Sequence, residues 1–371
     1  MRRRFHNTLL SLSLLPALIA SSAAAPLLHG PSLFAPWDGR SGAAKGDVRS
    51  VQTLSASTGP TARPAPPIPQ AEPTFTFAVL SDVHVQSWHK PSHRKLKQAL
   101  TDIENIDAGT DALVLNGDMT EGMTEDYIKL QELLQESPLP ETIFTTVGNH
   151  EYFKAWYTGG REWNGGGFPN GETEQDSLSR FLTFAGRERV YTAQKFQGYQ
   201  FIFLGSERYR QSDPNNGEDA YLSDAQLNWL KSTLKAGSEP GKPIFVFLHQ
   251  PLPYTVSGTH FCCTNTRAVI QHEELKKILS AYPQVILFSG HTHWELKNPQ
   301  TLVHDAFTMV NSSAVIETWS DNGQKGEKMN GPEESEGLYV EVYPDRVQIK
   351  GRDFYRHRWV PEAQFTVTPE S

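Results

Sequence analysis

Two histidines with one residue between them, His291 and His293, follow the apolar run "VILFS" (285–289). Imidazoles accept and donate protons near neutrality and are common ligands of transition metals. Four other apolar runs end in comparable polar clusters. "FAVL" leads into Ser81-Asp82-Val83-His84, "ALVL" into Asn116-Gly117-Asp118, "IFTTV" into Gly148-Asn149-His150-Glu151, and "IFVFL" into His249-Gln250-Pro251. If these runs are strands of one α/β core, their carboxyl ends gather where such folds bind ligands. Residues at i and i+2 of extended backbone project to one side, which pairs Asp82 with His84 and His291 with His293. Gly117, Gly148 and Gly290 permit a sharp turn or a close backbone approach beside the donors. The converging donors are Asp82, His84, Asp118, Asn149, His249, His291 and His293. Seven exceed the six positions around one octahedral ion, whereas two ions sharing one carboxylate accommodate them. Paired ions about 3.5–4 Å apart are a recurrent solution for phosphoryl chemistry. The mixture of imidazole, carboxylate and amide favours Mn, Fe, Zn, Co or Ni over Ca or Mg. No thiolate is in the set, which excludes a structural zinc knot.

The elements that must hold these donors are legible in outline. "TFTFAVL", "DALVLNG", "ETIFTTVG", "GYQFIFLGS", "PIFVFLH" and "QVILFSG" have the length and composition of strands. Between them "SHRKLKQALTDIENI", "TEDYIKLQELLQ", "DSLSRFLTFAG", "SDAQLNWLKSTLK" and "HEELKKILSAY" have helical spacing, with Ser223 as an N-cap. This alternation predicts βαβ units around a largely parallel core. After Thr301 the pattern changes. "DAFTMVNSS", "GLYVEVYP" and "RVQIKGRDF" are expected as antiparallel strands closing the fold, and the acidic, Gly-rich stretch 320–337 as a solvated loop. There is no internal repeat.

Bulk composition limits the function classes. The chain has 371 residues, 38% hydrophobic and 20% charged, with a formal net charge of −8, as in a soluble globular protein. That balance argues against a general nucleic-acid binder, which needs a basic face. A small anionic substrate stays compatible, because a bound metal inverts the local field. The amino terminus has the layout of an export signal: basic "MRRRFHN", apolar "TLLSLSLLPALIA", then small residues in "SSAAAP". Residues 1–25 are therefore expected to be a signal peptide, and the protein secreted or extracytoplasmic, with no stable membrane anchor after cleavage. Arg2, Arg3 and Phe5 also fit a loose twin-arginine pattern, although an ordinary Sec signal is preferred. Residues 26–72 are rich in Pro, Ala and Ser without apolar periodicity, the composition of a disordered linker. The folded domain is expected over 73–360 and a tail over 361–371. The two cysteines, Cys262 and Cys263, are adjacent. They are two thiols, or a vicinal bridge that stiffens a loop.

Taken in order, D-x-H, G-D, G-N-H-E, a single His after a strand, and G-H-x-H resemble the calcineurin-like metallophosphoesterase superfamily. Each piece alone is weak; all of them in order, each after an apolar run, are specific. The resemblance covers about Phe75 to His293. It implies a four-layer α/β sandwich, two mixed β-sheets with helices outside. It also implies one metal held by Asp82, His84 and His293, a second held by Asn149, His249 and His291, and Asp118 bridging them. His150 would face the scissile phosphate as acid or transition-state stabiliser. Purple acid phosphatases place a Tyr three residues after the bridging Asp, where this chain has Glu121, which disfavours a tyrosinate-bound ferric ion. Protein Ser/Thr phosphatases carry G-D-x-V-D-R-G; "GDMTEGM" lacks that Arg. The compact G-H-T-H is closer to the phosphodiesterase and nucleotidase-type branches.

The expected function is hydrolysis of a small phosphate ester, with a phosphodiester favoured. Metal-bridging hydroxide would attack in line while His150 assists the leaving group. The alternatives are a phosphomonoesterase or nucleotidase, a DNA nuclease disfavoured by the acidic balance, and a non-catalytic module whose metals brace loops. Arg161, in the long irregular stretch after Glu151, and Tyr254, after His249, are candidate substrate contacts, weighed against ordinary loop packing. Glu295 is a candidate hydrogen-bond partner for an imidazole.

Overall fold

A computed structural model describes residues 72–369 other than 265 and 325. The expected signal peptide and nearly all of the expected linker lie outside the described residues. In chain order the elements are β1 (Phe75–Leu80), α1 (Lys90–Ile106), β2 (Ala112–Asn116), α2 (Thr124–Gln135), β3 (Thr142–Thr146), α3 (Glu174–Ala185), β4 (Thr192–Phe196) and β5 (Tyr199–Phe203). Then come α4 (Asp224–Gly237), β6 (Ile244–Phe247), α5 (His272–Leu279), β7 (Val285–Ser289), β8 (Leu302–His304), β9 (Thr308–Asn311), β10 (Trp319–Asp321), β11 (Glu327–Met329), β12 (Glu336–Val342), β13 (Val347–Asp353) and β14 (Arg358–Val367).

Two six-stranded sheets form, ordered β14-β13-β12-β1-β2-β3 and β4-β5-β6-β7-β9-β8. β1, β2 and β3 run parallel, as do β5, β6, β7 and β9, so both sheets are mixed. Strand alternation explains the layering. On β1, Phe75, Phe77 and Val79 turn to the space between the sheets, while Ala78 and Leu80 join Leu96, Leu100 and Leu130 of α1 and α2. On β5 and β6, Phe201, Phe203, Phe245 and Phe247 fill the same central layer, and Ile202, Ile244 and Val246 pack against α4 and α5. The central layer is largely aromatic. Phe77 meets Phe201 and Phe245 edge-on at 5.3 and 5.2 Å between ring centroids, an arrangement favoured by the ring quadrupoles. The result is the four-layer sandwich, helix–sheet–sheet–helix.

Three expectations about the carboxyl-terminal third are corrected. β9 pairs parallel with β7 and only β8 opposes it, so "DAFTMVNSS" extends the parallel core. The stretch 320–337 is not wholly loop: β10 and β11 pair as an antiparallel ribbon, Trp319 opposite Met329. The strand expected to give way to a tail at 361 continues to Val367 as β14, an edge strand. Pro361 lies within it, and an edge position tolerates the missing N–H. Among the described residues no helix is long and apolar enough to cross a membrane.

Candidate metal centre

The loops after β1, β2, β3, β6 and β7 meet, and glycine makes the approach close enough. Gly117 has φ +83°, and a Cβ there would lie 2.5 Å from the His249 ring. At Gly148 a Cβ would lie 2.1 Å from Asp118 Oδ1. The pairing of Asp82 with His84 and of His291 with His293 does not come from extended backbone, as the i, i+2 spacing suggested. Asp82, His84, Asp118, His291 and His293 have φ between +47° and +69°. Left-handed non-glycine residues cost about 1–3 kcal/mol each and persist only where surrounding structure holds them. Here the backbone hydrogen bonds do so: Asp82 donates to Gly117, Val83 and His84 both donate to Asp118, and Ile316 donates to Asp82.

Side-chain partners settle which atom each donor presents. Asp82 Oδ2 accepts from the Ser81 hydroxyl and the His291 N–H, at 2.5 and 3.0 Å, leaving Oδ1 free. His293 Nδ1 lies 3.1 Å from the Glu317 carbonyl and His249 Nδ1 2.8 Å from the Asn116 carbonyl. A carbonyl only accepts, so both Nδ1 atoms carry the proton and both Nε2 atoms present lone pairs. Those lone pairs converge on acceptors. His293 Nε2 is 3.0 Å from Asp82 Oδ1, and His249 Nε2 is 3.0 Å from Asp118 Oδ2. His84 Nε2 stands 3.4 Å from His293 Nε2. Asn149 donates its amide to Glu218 at 3.3 Å, which turns its carbonyl oxygen inward. Asp82 Oδ1, Asn149 Oδ1, His249 Nε2 and His291 Nε2 are buried without a hydrogen-bond partner. Buried acceptors facing acceptors are costly unless a cation lies among them.

The donor atoms fall into two compact sets. Asp82, His84 and His293 offer ligand atoms within 4.8 Å of one another, as do Asp118, His249 and His291. Six of the seven sequence-predicted donors are thereby brought together, while Asn149 has its carbonyl oxygen buried without a partner on the loop after β3; the set fits borderline divalent cations of the first transition row.

Sequence reasoning missed three carboxylates. Glu121 Oε1 lies 3.0 Å from Nδ1 of both His84 and His150. Burial alone would raise its pKa, but the two imidazoles outweigh burial and hold it at about 2. As an ionised acceptor it fixes the Nδ1–H form of both rings, and both Nε2 atoms then face the site, each 3.9 Å from Asp118 Oδ2. His150 feels burial downward, but Glu121 and Asp118 prevail and raise it to about 10. Glu151 accepts from the backbone N–H groups of Asp118, Met119, Thr120 and Gly148, at 2.7–3.1 Å, and so pins the loops after β2 and β3 together. Glu218 is itself held by the Tyr209 hydroxyl, 2.7 Å from Oε2, and by Arg210. Only Glu151 carried a sequence signal, its place in G-N-H-E.

The site opens into a cavity of about 430 Å³, lined among others by His84, His150, His293, Arg267, Trp319 and Cys262. Cys262 and Cys263 form the vicinal disulfide, with Cys263 fully buried. Arg161 and Tyr254, expected at the substrate, do not line this cavity. Arg161 lies 4.9 Å over the Trp88 ring and 3.6 Å from Glu125. The irregular segment that carries it packs on itself, Trp156 stacking on Trp163 at 5.3 Å and bonding Tyr209 through Nε1. Tyr254 is 57% exposed and meets the His260 ring instead. Glu295 accepts from Asn330 and pairs with Lys297, so it orients no imidazole of the site.

Comparisons with known proteins agree with this geometry. A manganese-dependent ADP-ribose/CDP-alcohol diphosphatase of Xenopus laevis is 24% identical, the match covering 77% of this chain and 90% of the relative. A probable glycerophosphodiester phosphodiesterase, GpdQ, of Arcobacter nitrofigilis is 23% identical over 58% of this chain and 70% of its own. The crystal structure of a dimetal phosphatase from Danio rerio superposes with a TM-score of 0.56 at 16% identity, covering 81% of this chain and all of that one, which is a likeness of fold. The family model for calcineurin-like phosphoesterases matches residues 75–295, from the first residue of β1 to just past His293, and the chain belongs to that family.

Proposed function

We propose that the protein hydrolyses a phosphodiester-type bond in a small molecule, using two divalent cations of the Mn, Fe, Zn, Co or Ni group. The observation that carries this reading is the convergence of buried, unpartnered acceptor atoms from five loops beside an imidazole that is not needed as a ligand. Asp82, His84 and His293 would hold one cation, Asn149, His249 and His291 the other, with Asp118 shared. Bound there, such a pair supplies a water of lowered pKa and neutralises charge on phosphate oxygens. The chain's own residues do the rest. Glu121 holds the His150 ring with Nδ1 protonated, so that Nε2 addresses the cavity. From that position His150 gives a proton to the leaving oxygen. Both relatives are named for breaking a bond to a phosphorus that carries two substituents, which favours a diester over a monoester, and the manganese dependence in the name of one favours Mn.

Release of p-nitrophenol from bis-p-nitrophenyl phosphate should depend on added Mn²⁺, stop with chelator, and exceed release from the monoester. Absence of any metal-dependent release, or well under two equivalents of metal in reconstituted protein, would overturn the reading. Export is proposed on the residue pattern of 1–25, supported by a disulfide of the kind that persists in oxidising compartments. Cell fractionation that leaves the whole chain in the cytoplasm would exclude it.

A further inference from the structure

The cavity beside the metal donors holds a cation without a counter-ion. Arg267 lines it, and it is the only Lys or Arg among the lining residues. The same wall carries Glu121, Glu317 and Glu327, yet none of them pairs with Arg267. Two of the three are otherwise engaged: Glu121 serves His84 and His150, and Glu327 accepts from Trp294 Nε1 at 2.5 Å. Among the described residues the Arg267 guanidinium has no hydrogen bond, ion pair or ring contact. Arg267 is an exposed residue of this lining, so in a chain with net charge −8 its guanidinium is open to an anion bound beside the metal donors.

The backbone beneath Arg267 is held in place. Arg267 has φ +60°, a conformation that an L residue keeps only when its flanks enforce it. Those flanks are tied down. Ala268 N–H donates to Asp219 Oδ1 at 3.1 Å, Ala220 donates to the Ala268 carbonyl at 2.9 Å, and Ile270 donates to the Ala220 carbonyl at 2.9 Å. Val269 donates to Pro251, two residues past His249. The left-handed residue thus stands on a base continuous with the loop that carries a metal donor. The preceding residues place the Cys262–Cys263 disulfide on the same wall.

Charge then decides the substrate class. A diester with one phosphate carries one negative charge, which the cations at the seven donors would meet, leaving Arg267 facing neutral groups. A disubstituted diphosphate carries a second, adjacent negative charge, and its non-bridging oxygens match a planar guanidinium. A cavity of about 430 Å³ is sized for a small organic ligand that includes both phosphates. Resting on the proposed function, we propose that Arg267 is a specificity-determining residue that binds the second phosphate of a disubstituted diphosphate, the first being the one cleaved.

The test is calorimetric, so that it does not depend on turnover. Two uncleaved probes are titrated into Mn²⁺-loaded protein: the α,β-methylene analogue of ADP-ribose, and adenosine 5′-methylphosphonate, which has one phosphorus. The native protein should bind the first more tightly, and Arg267→Gln should remove about 10- to 100-fold of that preference. The one-phosphorus probe should change less than about threefold, and Arg267→Lys should recover part of the preference. Equal weakening of both probes would place Arg267 at the reacting phosphate and overturn the proposal, as would no change in either. A preference that disappears in Arg267→Gln while the native protein cleaves neither ester would leave the binding role standing and refute the hydrolytic reading instead.

Discussion

His150 and His84 share one carboxylate oxygen, and that sharing separates two roles that would otherwise look alike. Both imidazoles give Nδ1–H to Glu121 Oε1 at 3.0 Å. Both Nε2 atoms lie 3.9 Å from Asp118 Oδ2, but His84 Nε2 also stands 3.4 Å from His293 Nε2, beside the first set of donors. Replacing His150 by Ala should lower kcat on bis-p-nitrophenyl phosphate by about 10²–10⁴ and leave two metal equivalents in place. Replacing Glu121 by Ala should do more, because two rings lose their anchor. Rate should fall to a similar degree, and metal affinity should also weaken about 10- to 100-fold, the usual cost of removing the partner that orients a ligand. Elemental analysis alongside the rates checks both variants. If the His150 variant lost metal, its assignment as a non-ligand would fail; if the Glu121 variant kept full metal affinity, the shared oxygen would have no orienting role. Glu121 stands three residues after Asp118 and was noticed in the sequence only as the absence of a Tyr. Nothing in a linear sequence shows that one carboxylate reaches two histidines 29 and 37 residues away.

At the scale of elements, what was legible is what period and composition encode. The buried parallel strands are short apolar runs, and the helices have apolar stripes; side-chain caps occur on α3 and α4, where Thr173 accepts from the Asp176 N–H and Ser223 from the Gln226 N–H, the latter as its type and place predict. Strands that bury little were not legible. β4 is "TAQKF" at a sheet edge, and β10 and β11 form a ribbon of three residues each, without an apolar face to betray them. The turns between element and site were legible in identity but not in conformation. The types and order of the donors were legible, while the left-handed backbone that aims them has no sequence signature except in glycine. Gly148 is where element and site meet most tightly. It precedes Asn149 and His150, donates its N–H to Glu151 at 2.7 Å, and has no room for a Cβ beside Asp118 Oδ1. Gly148→Ala should therefore push Asp118 from its place without touching a donor by name. We expect at least about tenfold weaker metal binding together with a loss of about 1–3 kcal/mol in stability from overpacking. Metal titration and chemical denaturation measure the two separately. An alanine variant with native metal affinity would show that the loop yields, and that the close approach is incidental to the site.

For the molecule as a whole, the two sheets are joined by an aromatic layer at one level and by the metal donors at another. Asp82, His84, Asp118, Asn149 and His150 follow strands of the first sheet; His249, His291 and His293 follow strands of the second. Without cations His249 Nε2 lies 3.0 Å from Asp118 Oδ2; burial lowers the His249 pKa, but Asp118 and Asp82 prevail and raise it to about 9, so a proton holds that contact beside the packing of Phe77, Phe201, Phe245 and Phe247. Cations held there would take the place of that proton, and they would bind the folded chain alone, since the donors meet only after both sheets have formed. Mass action then ties stability to metal concentration. One site filled at a hundred times its dissociation constant adds about 2.7 kcal/mol, which for a domain of this size raises the midpoint by roughly 4 °C. Scanning calorimetry of chelator-treated protein should show a midpoint that climbs with added Mn²⁺ and keeps climbing while the second site fills. Asp118→Asn, which weakens the donor proposed to serve both cations, should flatten that dependence. His150→Ala should retain it in full, since no proposed donor is lost although turnover has gone. A midpoint indifferent to Mn²⁺ in the native protein would mean that the sheets meet without needing the cations, and the junction would have to be explained by protonation of its histidines instead.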